Sequence, residues 1–290
     1  MQERTEFWTP LGVRLRRARC NPGELDWLFL PGGPGIGSES LAELVQTADL
    51  PGRSWLVDLP GDGSNVSAPG APSDPYSLWP HVFLEAAAAF DRPVAVGHST
   101  GGQYLLSIPH LEHRLRGVVL ISSAPDAGWM PQYEAMTKAD PLPAVQAASR
   151  RYELDPSDAA LGEVAVASAP WNFDVEHVDI GARLLARMPY NMRAVEWSAA
   201  VFDTGYIAAW WPVQMPTLIV SGRDDRIVTQ QLWLDPRYRQ PNVTHRWVER
   251  AGHWPWIEQP AAVRSVLRIF ADQIVDDQGR TVPAHQARTA

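Results

Sequence analysis

The stretch "VAVGHSTGGQYLL", Val94–Leu106, decides the fold of this chain. Small and β-branched residues at its start predict a buried strand, and apolar residues at its end predict a helix. Ser99 lies between them, flanked by Gly97 and Gly101 in the pattern Gly-x-Ser-x-Gly. A turn this sharp between a strand and a helix leaves no room for side chains at the two glycines. We therefore expect Ser99 to be presented for chemistry at the carboxyl end of a strand.

The same alternation of strands and helices occurs on both sides of that stretch. Buried strands are predicted in "LDWLFL", "SWLVDL", "LRGVVLI" and "MPTLIVSG", and helices in "SLWPHVFLEAAAAF", "TQQLWL" and "AAVRSVLRIFADQIV". This alternation predicts an α/β fold with a mainly parallel central sheet and helices on both faces. From about Pro125 to Pro212 the strands stop and short helical patterns take over. We expect residues 1–124 and 213–290 to form the core, and residues 125–212 to form a helical cap.

Composition limits the possible partners of the chain. Its 290 residues are 45% apolar and 20% charged, as in an ordinary globular protein. The formal net charge of −8 argues against nucleic acid or an anionic membrane as a partner. A single cysteine, Cys20, excludes an internal disulfide and a cysteine metal cluster. Without an apolar signal segment or membrane span, we expect a cytoplasmic protein that acts on a small-molecule substrate. The oligomeric state cannot be predicted from these features.

A serine hydroxyl is a weak nucleophile until a base takes its proton, and His253 is the best candidate for that base. It lies in "RAGHWPWIEQP", between the last predicted strand and the last predicted helix. The carboxyl ends of parallel strands meet at one edge of the sheet, so His253 is expected close to Ser99. His98 precedes Ser99 directly but points elsewhere from the turn, so we assign it to packing.

The base also needs a carboxylate that orients its ring. Asp224 and Asp225 in "LIVSGRDDRIV" follow a buried strand, and Asp126 follows the strand "LRGVVLI". We prefer Asp225, with Asp126 and Asp224 as competing candidates. The chain order of Ser99, Asp225 and His253 is the order expected for an α/β-hydrolase.

Backbone amides would hold the oxyanion that forms when a serine attacks an acyl group. Thr100, the residue after the nucleophile, supplies one candidate N–H. The loop "PGGPG" after the strand "LDWLFL" supplies the other, and Gly33 is preferred there because proline has no N–H. The chain has neither a Gly-Lys-Ser/Thr motif nor a Gly-x-Gly-x-x-Gly motif followed by a helix. The loop is therefore not assigned to nucleotide binding. No metal or organic cofactor is required by this set of residues.

Several of these segments resemble the α/β-hydrolase fold superfamily of serine hydrolases. "GHSTGG" is similar to its nucleophile elbow, and "SGRDDRIV" to its acid segment, whose usual Gly-x-x-Asp spacing selects Asp225. "AGHWPWIEQP" resembles its Gly-His segment. "LPGGPG" is similar to the oxyanion loop of proline iminopeptidases and their relatives, with Pro31 in place of the usual histidine. "VDLPGDGSN" resembles the family's Asp-x-Pro-Gly-x-Gly-x-Ser segment, with Asp62 where histidine is common.

The resemblance implies a serine hydrolase that cleaves an ester or related acyl bond through an acyl-enzyme. Bulky residues suggest a small apolar substrate, and the pocket is predicted to contain Trp129, Trp171, Trp197, Trp210 and Trp254.

Three alternatives remain open. The first is a proline iminopeptidase-like aminopeptidase, which would need cap carboxylates for the free amine of its substrate. Its elbow is typically Gly-Gly-Ser-Trp-Gly, unlike Gly-His-Ser-Thr-Gly here. The second is a carbon–carbon bond hydrolase, and the third is a non-catalytic ligand receptor of the same fold.

Overall fold

The computed structural model describes residues 5–279, which contain one eight-stranded sheet. Residues 1–4 and 280–290, which the predicted core includes, lie outside that range. The strands are β1 (Glu6–Trp8), β2 (Arg14–Cys20), β3 (Asp26–Leu30), β4 (Arg53–Asp58), β5 (Pro93–His98), β6 (Gly117–Ile121), β7 (Thr217–Gly222) and β8 (Val243–Val248). They lie in the order β1-β2-β4-β3-β5-β6-β7-β8.

The sheet is parallel from β4 through β3, β5, β6 and β7 to β8. Among the described strands, β2 alone runs in the opposite direction, because it pairs antiparallel with both β1 and β4. Every residue of β3, β5, β6 and β7 is buried, because helices cover both faces of the sheet. This confirms the predicted α/β fold. Strand β5 lies between β3 and β6, so the residues that follow it lie at the middle of the carboxyl edge.

Helices pack on both faces. The helices are α1 (Ala42–Ala48), α2 (Trp79–Ala88), α3 (Thr100–Leu106), α4 (Met130–Ala139), α5 (Pro143–Leu154), α6 (Asp158–Ala167), α7 (Ala169–Asn172), α8 (Val178–Leu185), α9 (Met192–Trp197), α10 (Pro255–Glu258) and α11 (Pro260–Gly279). Apolar side chains of α2 and α3 join one core cluster, and those of α1 and α11 join the other. Each cluster is the packing layer between the sheet and one set of helices.

The segment "TQQLWL" was predicted as a helix but forms a 3₁₀ turn over Gln230–Leu234. The side chains of Gln230 and Trp233 both donate to the carbonyl of Ser123, at 3.4 and 2.8 Å. A 3₁₀ turn stacks residues three apart directly above each other, so the side chains of Gln230 and Trp233 both reach the same carbonyl.

Helices α4–α9 all lie between β6 and β7, in the region predicted as a cap. The two ends of this inserted segment meet at an antiparallel bridge between Asp126 and Ile207. The amide of Ala208 also donates to the carbonyl of Pro125. The division into a core and a cap at residues 124/125 and 212/213 stays a prediction.

A buried carboxyl group joins the loops that follow β3 and β4. Asp62 Oδ1 accepts the amide of Gly35 at 3.0 Å, and the carboxyl group is buried. Burial, together with the nearby charge of Asp58, raises the pKa of Asp62 to about 8. At neutral pH the folded protein therefore holds a proton on Asp62 that the unfolded chain has already lost.

This proton makes the free energy of unfolding dependent on pH. Because the pKa is raised in the folded state, stability is lost as the pH rises from about 4 to about 8, by at most about 1.4 kcal/mol per pH unit. Asp62→Asn keeps an acceptor for Gly35 and removes the titrating group. Relative to wild type, the variant should gain stability between about pH 5 and about pH 9, as measured by denaturant unfolding.

Asp74→Asn is the matched control, because Asp74 is exposed and accepts the backbone amide of Tyr76. It should alter stability by the same small amount at both pH values. A stability difference between Asp62→Asn and wild type that did not change with pH would contradict the assigned protonation state.

Candidate active site

Ser99 lies in a strained turn between β5 and α3. Its φ of 50° and ψ of −123° are unusual for a residue with a side chain. The amide of Ser99 donates to the carbonyl of Ile121 at 2.9 Å, which fixes the turn against the end of β6. A Cβ on Gly101 would lie 2.5 Å from the carbonyl oxygen of Leu30, and one on Gly97 would lie 2.6 Å from Gly102 Cα. Only glycine fits at both positions, so the backbone can turn there.

His253 and Asp225 form a buried pair at the same edge of the sheet. His253 Nδ1 lies 3.0 Å from Asp225 Oδ2 and 3.2 Å from Oδ1. The Asp225 side chain has no solvent exposure, and that of His253 is 6% exposed. Because a carboxylate only accepts hydrogen bonds, Nδ1 of a neutral His253 carries the proton and Nε2 is free to accept one.

The carboxylate of Asp225 is held by donors on both oxygens. The amides of Ile227 and Val228 each donate to Oδ1 at 3.0 Å, and Gln230 Nε2 donates to Oδ2 at 3.3 Å. These donors stabilise the negative charge in a site without water contact.

The two competing carboxylates contact other groups. Asp126 Oδ1 accepts the amide of Gly128, where it caps a short 3₁₀ turn. Asp224 is exposed, and its amide donates to the carbonyl of Ala251. Of the three aspartates, Asp225 is the one that this structure brings to His253.

His98 links the serine turn to the loop of His253. Its Nε2 lies 3.1 Å from the carbonyl oxygen of His253, and the two ring centroids are 4.8 Å apart. A carbonyl only accepts, so His98 carries its proton on Nε2. Burial, with a smaller effect of His253, lowers the pKa of His98 well below its usual value, so the ring stays neutral. Sequence reasoning assigned His98 to packing, and it also makes this hydrogen bond.

The glycine loop after β3 lies against the start of α3. Gly33 has a φ of 116°, and its carbonyl accepts the Thr100 hydroxyl at 3.3 Å. Thr100 is the first residue of α3, where amides have no partner within the helix. In the part of the chain that the structure describes, neither the amide of Gly33 nor that of Thr100 donates to a protein acceptor outside α3. Neither amide is therefore occupied by an acceptor from the described part of the chain.

The five tryptophans predicted to line a pocket lie in different surroundings. Trp171 borders a cavity of about 300 Å³ beside Gly252 and Asp224, and its Nε1 donates to the carbonyl of Asp140. Trp254 is buried between Phe173 and Trp256. The remaining three are half-buried, at positions Trp129, Trp197 and Trp210.

The inserted segment holds the backbone of the His253 loop. The carbonyl of Asn172 accepts the amide of His253 at 3.0 Å, and its Oδ1 accepts Trp254 Nε1 at 3.3 Å. Glu258 accepts the amides of Gly252 at 2.7 Å and Asp174 at 2.8 Å. Burial raises the pKa of Glu258 to about 7. Sequence reasoning missed Asn172 and Glu258, because they act on main-chain groups and leave no spacing pattern.

No group of three or more metal-ligating side chains occurs among residues 5–279. Over the same residues, no helix is both long and apolar enough to cross a bilayer.

This chain is similar in sequence to a protein of known family. The chain is 25% identical over 230 residues to the alpha/beta hydrolase domain-containing protein VTE7 of Arabidopsis thaliana. The match covers 76% of this chain and 66% of that protein, which is just under two thirds of its length.

Two solved structures share the fold over nearly their whole length. The proline iminopeptidase of Mycobacterium smegmatis is 19% identical, with 94% of this chain and 99% of that chain covered and a TM-score of 0.65. A thermophilic esterase of Thermogutta terrifontis is 17% identical, with 94% and 99% covered and a TM-score of 0.66.

One family model, described as "Alpha/beta hydrolase family", matches residues 27–266. That range is well over half of the chain and contains Ser99, Asp225 and His253. This chain therefore belongs to the alpha/beta hydrolase family.

Proposed function

We propose that this protein is a carboxylesterase-like serine hydrolase that cleaves an ester or related acyl bond of a small, apolar substrate. The observation that supports this most is the buried contact between Asp225 and His253, together with the strained turn that holds Ser99 at the same sheet edge. Ser99 retains 9% exposure, so the protein does not enclose it completely and a substrate can approach it.

In the proposed acylation step, Ser99 Oγ attacks the acyl carbon and its proton passes to Nε2 of His253. Asp225 stabilises the imidazolium that forms, because its carboxylate already faces Nδ1. The carbonyl oxygen becomes an oxyanion, which the amides of Gly33 and Thr100 would hold in place. The C–O bond to the leaving group then breaks, and the alcohol departs with the proton from His253.

Deacylation repeats these steps with water as the nucleophile. His253 takes a proton from water as the oxygen attacks the acyl-enzyme, and returns it to Ser99 Oγ when the acid leaves. Each proton is taken up and released on Nε2, so the neutral, Nδ1-protonated form of His253 is restored after each turnover.

The exposure of the glutamates in the inserted segment favours an esterase over an aminopeptidase. An aminopeptidase would need a carboxylate near the reacting bond for the free amine of its substrate. The inserted segment offers five glutamates for this role, and all five are exposed to solvent: Glu134, Glu153, Glu163, Glu176 and Glu196. The carbon–carbon hydrolase, the ligand receptor and the cytoplasmic location stay predictions.

Replacing the nucleophile tests the proposal directly. Ser99→Ala should reduce turnover of short p-nitrophenyl esters by at least about a thousand-fold, since no other group replaces the attacking oxygen. It should also abolish labelling by a fluorophosphonate. Ser107→Ala, at the other end of α3, is the control, because within residues 5–279 its hydroxyl bonds only to the carbonyl of Gln103. Undiminished labelling of Ser99→Ala would show that another residue is the nucleophile.

Replacing the carboxylate separates the three candidate acids. Two amides donate to Oδ1 of Asp225, so Asp225→Asn should keep its oxygen there and turn its NH₂ towards His253 Nδ1. His253 would then carry its proton on Nε2, the wrong tautomer for a base. We expect the acylation rate to fall about 10³- to 10⁴-fold in rapid-mixing experiments. Asp126→Asn and Asp224→Asn should stay near wild type, and a larger loss for either one would reassign the acid.

A further inference from the structure

A buried chain of polar side chains continues from Asp225 away from the substrate side of the site. Gln230 Nε2 lies 3.3 Å from Asp225 Oδ2, and Gln230 Oε1 lies 2.7 Å from the hydroxyl of Ser221. The same hydroxyl lies 2.8 Å from His245 Nε2. Ser221 belongs to β7 and His245 to β8, so the chain crosses the neighbouring strand before it reaches the sheet edge.

The direction of every hydrogen bond in this chain is fixed by its partners. Three acceptors surround the amide nitrogen of Gln230: Asp225 Oδ2 and the carbonyls of Val228 and Ser123. Only an NH₂ group suits three acceptors, so Oε1 must be the atom that faces Ser221. The single hydroxyl proton of Ser221 then points to Gln230 Oε1. His245 must therefore donate from Nε2 to the Ser221 oxygen.

The outer end of the chain is also fixed. His245 lies beside a cavity of about 580 Å³, and its ring contacts Trp247 at 4.8 Å between centroids. Burial, with smaller effects of Arg223 and Arg239, lowers the pKa of His245 to about 4. The ring is therefore neutral at neutral pH. Its Nε2 remains a donor in either charge state, so the direction of the chain does not reverse.

We propose that Gln230 and Ser221 are positioning residues for the Asp225–His253 pair. This inference rests on the proposed function, because it assumes that His253 acts as the base. Gln230 directs a donor at the carboxylate oxygen that lies closer to His253, and Ser221 prevents the amide from rotating. Ser221 is fully buried and Gln230 is 3% exposed, so both act through Asp225 and not by contact with a substrate. Their effect is to hold Oδ2 in the one orientation in which it accepts from Nδ1.

Loss of either residue has a defined consequence. Gln230→Glu has the same shape but places an acceptor against Asp225 Oδ2, so the two oxygens repel each other. Ser221→Ala leaves Gln230 Oε1 without its donor. The amide can then turn its oxygen towards Asp225. Both changes should displace the carboxylate from His253 and leave the substrate contacts intact.

The experiment compares these two variants with wild type in ester turnover and by NMR of ¹⁵N-histidine-labelled protein. We expect kcat to fall about ten-fold or more, as for the loss of groups that orient metal-bound histidines, while KM stays within about two-fold. The low-field proton resonance of His253 Nδ1–H, assigned with His253→Gln, should move upfield in both variants. If Gln230→Glu does not fold, Ser221→Ala alone provides the test.

Thr217→Val is the matched control, because it removes a hydroxyl of similar burial from the same strand. Among the described residues, the Thr217 hydroxyl donates only to the carbonyl of Met215, so both kcat and the resonance should stay at the wild-type values. A lower melting temperature in the two test variants, with kcat and the resonance unchanged, would reduce Gln230 and Ser221 to structural roles and overturn the inference. If wild type itself turned over no ester, the proposed function would fail. The resonance would then decide the positioning role by itself.

Discussion

The site depends on one close contact, between the start of α3 and the end of β3. A Cβ on Gly101 would lie 2.4 Å from the carbonyl oxygen of Pro31, which is closer than any side chain allows. A Cβ on Gly32 would lie 2.7 Å from Cβ of Ser99, so the loop and the serine turn touch directly. Because this contact excludes side chains, it brings the backbone of the loop next to the strained serine. The strain at Ser99 persists because the surrounding packing allows no other backbone path.

The fold could be predicted from the sequence because one pattern, a buried apolar strand followed by a helix, occurs several times along the chain. Strands that are buried on both faces give uninterrupted apolar runs, and β3, β5 and β7 all have this form. The ends of such strands share one edge, so polar residues just after them could be placed without any knowledge of packing. That reasoning put Ser99 and His253 at one edge, and the structure adds the contact between His253 and Asp225.

The surroundings of the pair could not be predicted in the same way. Gln230, Ser221 and His245 lie on a turn and two strands, and no fixed spacing in the sequence relates them. Gln230 was assigned to a helix, and its contact with the acid depends on the 3₁₀ turn that replaces that helix. Likewise, the tryptophans were assigned to a pocket from composition alone. Composition gives the size of these side chains but not the direction in which each one points. Side chains that act through one another require the tertiary packing to be known.

Through the contacts of Asn172 and Glu258, the inserted segment supports the His253 loop. The amide of His253 donates to the carbonyl of Asn172, which lies in the inserted segment. The carboxylate of Glu258 accepts one amide from the histidine loop and one from the inserted segment. The inserted segment and the histidine loop are thus joined by hydrogen bonds. Exchange of this segment between family members would therefore also replace part of the support of the histidine, so changes in the segment and the position of the histidine are linked.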